Sequence, residues 1–89
     1  DVTAQMKQAA AGVDVARANL EQGEAELRDA GRALERSREL LAKKFVSPAA
    51  HDAVVARHDR AKAAISGFRA SIAVAQANLR AAEVAVEQT

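Results

Sequence analysis

Cysteine, tryptophan and tyrosine are absent, and Phe45 and Phe68 are the only aromatic residues. The lack of cysteine excludes disulfides and thiolate metal sites, and is compatible with cytosol and periplasm alike. Without large aromatic fillers a compact core has little to pack with. The single proline is Pro48, so no other position carries a proline break in a helix. No apolar run approaches the roughly 18 residues that a bilayer span needs. No glycine-rich phosphate loop is present. No serine has a histidine and an acid placed to activate it, so neither catalysis nor a cofactor is expected.

What is present is alanine, about a quarter of the chain, and a repeat of seven. Met6, Val13, Leu20, Leu27, Leu34 and Leu41 recur at seven-residue intervals. Three residues after each of the first five stands a small one: Ala9, Ala16, Gly23, Ala30 or Ser37. The second half repeats the rule with His51, His58, Ile65, Ile72, Leu79 and Val86, alternating with Val54, Ala61, Phe68, Ala75 and Ala82. Apolar heptads sustained this long mark coiled-coil helices. Between the two runs, Ser47-Pro48 is a helix-start signal: a capping hydroxyl, then a proline where no amide hydrogen is missed. The expected fold is all-α, a long antiparallel two-helix coiled-coil hairpin occupying residues 1–89 as one unit. Arm 1 covers about 3–44, the turn about 45–47 and arm 2 about 48–88. Eighty-nine residues starting at Asp1 also read as a piece of a larger protein.

Two seam registers fit the pattern equally, with facing residue numbers totalling 95 or 88. In the first, Leu27 meets Phe68 and Leu20 meets Ala75. In the second, Leu27 meets Ala61, Leu20 meets Phe68 and Gly23 meets Ile65. Both pair large with small residues in most layers, so the pattern does not choose between them. Gly12, Gly31 and Gly67 also interrupt the arms, each costing on the order of 1 kcal/mol relative to alanine.

His51 and His58 lie one heptad apart, about 10 Å along a helix, too far to share one metal ion. They read as polar layers of the seam that help set its register, and no metal site is expected. Charge is polarised along the hairpin. From Arg28 to Arg69 ten basic residues stand against five acidic ones, while the remaining ends carry three against seven. A basic tip is either a solvated face or the mark of an electrostatically chosen partner.

At that tip Leu40 falls outside the seam, which Leu41 already claims, with Arg36 one turn before it and Ser47 just past the turn. The run RSRELLAKKFVSPAAHDAVVARHDRAKAAI resembles the hairpin tip of periplasmic adaptor proteins, the HlyD-type membrane fusion proteins. Arg36, Leu40 and Ser47 match the arginine-leucine-serine spacing of that family, and Ala18-Asn19-Leu20 and Ala77-Asn78-Leu79 resemble its rods. The resemblance departs where a turn glycine is common, here Lys43-Lys44-Phe45, and where an aromatic residue is usual, here His51. It implies a periplasmic, inner-membrane-linked adaptor in a tripartite efflux or type I secretion system. Its tip would dock onto a TolC-type outer-membrane channel through Arg36, Leu40 and Ser47. An inner-membrane transporter would be reached through domains outside this chain, and hexameric rings of the intact protein are implied. No nucleic acid is expected as a partner. An RNA-binding coiled-coil arm, favoured by the basic tip but not by the scarcity of stacking aromatics, is the alternative, beside a purely structural spacer.

Overall fold

A computed structural model describes all of residues 1–89. Two helices make up the fold, α1 over Val2–Ala42 and α2 over Pro48–Glu87, antiparallel and joined by residues 43–47. There are no strands. No helix is long and apolar enough to cross a membrane.

Each helix start is closed by its own side chain. Asp1 accepts the Ala4 amide through Oδ1 at 2.8 Å, and Ser47 accepts the Ala50 amide through Oγ at 3.0 Å. Both satisfy one of the orphan donors of a helix N-terminus, as the Ser47-Pro48 sequence requires. The end of α1 is closed by backbone alone. The Phe45 amide reaches back to the Leu40 carbonyl at 2.8 Å and the Lys44 amide to Leu41 at 2.9 Å. This nested pair is a Schellman turn, which needs a left-handed residue after the helix. Lys44 takes that conformation, with φ of 62°. Glycine is the usual occupant, because a Cβ there costs about 1–2 kcal/mol.

The helical pairing divides into two compact units, residues 1–21 with 66–89, and residues 22–65. Within 22–65 the buried positions of α1 are Gly23, Ala30, Leu34 and Ser37, and on α2 Ile65. All belong to the heptad seam. Ser37 Oγ lies 2.8 Å from His51 Nδ1. That bond selects the register with facing numbers totalling 88, in which Gly23 stands opposite Ile65 and Ala30 opposite His58. Ala30 is the most buried of the core residues, at 1 % exposure, so the imidazole layer is built large against small. In the other unit Val13 and Ala16 are buried. There Gly12, Val15, Ala16 and Asn19 of α1 line one groove with Ala70, Ser71, Val74, Ala75 and Asn78 of α2.

Candidate functional site

In the unit holding the turn, an open groove of about 240 Å³ runs between the helices. It is lined by Ala33, Arg36, Ser37 and Leu40 of α1, by Val46 of the turn, and by Ala50 and Val54 of α2. Their arrangement follows from helical spacing. Ala33, Ser37 and Leu40 fall three and four residues apart and share one face, and the short turn folds Ala50 and Val54 against it. Two of the three tip residues singled out by sequence, Arg36 and Leu40, therefore meet on one surface.

The groove changes the reading of Leu40. Rather than a lone leucine outside the seam, it is half-buried and continuous with Val46, Ala50 and Val54. Arg36 is exposed at the same groove. Ser47 is exposed but does not line it, and its Oγ accepts the Ala50 amide. Its hydroxyl hydrogen is left to donate elsewhere. The sequence pattern gives none of Val46, Ala50 and Val54 a place at the tip. Val54 was assigned to the seam, and Val46 and Ala50 carried no periodic signal.

The same groove has a polar floor in Ser37, the only buried polar residue of the chain. A 2.8 Å bond to His51 Nδ1 satisfies it, and no buried side-chain polar atom lacks a partner. His58, one heptad on, instead approaches Asp59 Oδ1 of its own helix at 3.5 Å. The two histidines are thus separate layers, and no three metal-ligating side chains gather anywhere in the chain.

Further from the turn, the Arg57 guanidinium donates to Asp29 Oδ2 at 2.7 Å and ties the helices together. That hydrogen bond, with the positive charges of Arg57, Arg32 and Arg36, holds the Asp29 carboxyl below its ordinary value of 3.8. Both partners are largely exposed, so the pair fixes orientation more than it stabilises. The other acids near the turn make no ion pair with Arg36, Arg38, Lys43 or Lys44.

The remaining surface of interest lies in the unit formed by 1–21 and 66–89. One side carries a groove of about 390 Å³ without a charged residue, lined by Gly12, Val15, Asn19, Ser71, Val74 and Asn78 among others. Val15 and Val74 are each 61 % exposed there. A second groove is lined by Asp14, Arg17, Arg80 and Glu83 beside Ala10, Val13, Gln76 and Leu79. One surface is apolar and neutral, the other mixed in charge.

The surface features of both units are open grooves between the helices. No curated protein and no solved structure matches the chain. The family described as "RND MFP, alpha-helical hairpin domain" does, over residues 12–89. With that match covering the turn, all of α2 and most of α1, the chain belongs to the α-helical hairpin domain family of RND membrane fusion proteins.

Proposed function

We propose that this hairpin is the arm of a periplasmic adaptor serving an RND-type efflux pump, and that its tip docks onto a TolC-type outer-membrane channel. The observation that carries the docking is the convergence of Arg36 and Leu40 on one apolar groove beside the turn. Leu40, backed by Val46, Ala50 and Val54, supplies apolar contact area, and Arg36 supplies a charge-assisted hydrogen bond at the edge. Ser47 holds the first turn of α2 in place through its cap and offers its hydroxyl hydrogen at the same end. The family label favours efflux over type I secretion. The neutral surface around Val15 and Val74 supports lateral packing of hairpins into a ring, with six copies as the expected number.

The test uses the intact parent protein in its own cells. A photo-crosslinking side chain at Lys43, beside the groove but outside the seam, should capture an outer-membrane channel subunit. Leu40→Asp should abolish transport with helix content unchanged. Capture of RNA, or of other copies alone, refutes the docking. A collapse of helicity in Leu40→Asp would make Leu40 a structural residue of the hairpin.

A further inference from the structure

We infer that the surface this tip meets is an acidic protein surface, and that Lys43, Lys44 and Phe45 contact it beside the groove. The inference rests on the docking proposed above and adds the partner's chemistry and the residues that read it. Between Arg36 and Ser47 the cations are Arg36, Arg38, Lys43 and Lys44, and the one acid is Glu39, giving four minus one, or +3. All five side chains are exposed. The Arg57–Asp29 ion pair and the His58–Asp59 contact engage none of them. Unpaired like charges crowded into three helical turns repel one another, and a carboxylate-bearing partner relieves that repulsion on docking.

Two features at the apex sharpen this into a site. Phe45 is 73 % exposed, more than any other large apolar side chain of the chain. Lys44 occupies a left-handed position that a glycine would fill without strain. The Schellman bonds from Lys44 and Phe45 to Leu41 and Leu40 fix the direction in which both residues leave the helix. The apex therefore presents a ring and two ammonium groups on a backbone already ordered, which lowers the entropy lost on binding.

An anionic bilayer would also attract this chemistry, but a flat surface meets the apex alone. Arg36 stands eight residues before Lys44, about 12 Å back along the helix, beside the groove. A protein end that grips the tip reaches both. RNA is disfavoured because one ring at the apex gives a single stacking platform.

The experiment places p-benzoylphenylalanine at position 45 of the intact parent protein in its own cells and identifies what it captures. Capture is then compared in Lys43→Glu/Lys44→Glu, in Lys44→Gly and in Leu40→Asp. The expected result is capture of the outer-membrane channel subunit, reduced about tenfold by the double charge reversal and about threefold by Lys44→Gly. Lys44→Gly should at the same time raise the melting temperature, which separates lost contact from lost structure. If charge reversal leaves capture intact while Leu40→Asp removes it, the acidic-partner inference falls and the docking proposal stands. If no channel subunit is captured from position 45 or from position 43, both fall. Capture of lipid or RNA from position 45 overturns the inference in favour of those surfaces.

Discussion

The Ser37–His51 bond is the contact that distinguishes the two possible registers, and a pair of double-mutant cycles tests it. In the observed register Ser37 faces His51. A shift of one heptad would instead place Ser37 opposite His58. A part-buried hydrogen bond of this kind contributes about 1 kcal/mol net. Ser37→Ala alone should cost less, about 0.5 kcal/mol, because alanine recovers roughly that much in helix propensity. His51→Ala alone also removes packing, so neither single variant isolates the bond. The coupling energy does. We expect about 1 kcal/mol between Ser37→Ala and His51→Ala, and none between Ser37→Ala and His58→Ala. In a chain of this size that is about 4–8 °C in melting temperature. The assay is thermal unfolding followed by far-UV circular dichroism above neutral pH, repeated at several protein concentrations to separate folding from association. Coupling of Ser37 to His58 instead of His51 would refute the register and with it every facing pair named above.

Three further outcomes follow from the same geometry. Ala30→Leu inserts three carbons at the most buried position, opposite the His58 layer, and should destabilise by about 1–3 kcal/mol in a urea titration. Gly67→Ala should stabilise by about 1 kcal/mol in the same titration, since a Cβ there meets nothing within 4 Å. The folded-state value of Asp29 is depressed, so its contribution is present above the ordinary value of 3.8 and is lost as pH falls through the lowered one. The melting difference between the native chain and Asp29→Asn should therefore be small at neutral pH and vanish in strong acid. A difference that stays constant across that range would sink the assignment.

The helices were legible because two runs of heptads at constant phase admit few other structures, and because Ser47-Pro48 announces a helix start in both of its residues. The register was not. Sliding one arm by seven residues maps every apolar position onto another, so hydrophobic pattern alone assigns the two arrangements equal weight. A polar pair decides it: Ser37 sits among the small residues of one arm, and its partner is visible only once the turn has fixed the offset. Lys44 was hidden for a different reason. Lysine gives no signal for left-handed backbone, and the nested amides demand that conformation whatever the side chain. Leu40 was half legible. Its place outside the heptad marked it, but the groove that surrounds it needs Val46 in the turn and Ala50 beyond it.

The turn from 43 to 47 draws its hydrogen bonds from the residues immediately around it: the last carbonyls of α1, and the Ser47 hydroxyl for α2. Nothing in it depends on how far the arms continue. Growth or shortening of the arm is then quantised, because a heptad added to α1 preserves the pairing only if one is added to α2. Each matched step changes the reach by about 10 Å and leaves the turn untouched. The length of such an arm and the surface at its turn can therefore evolve independently, the first by paired insertions in the shaft and the second by single substitutions near the turn.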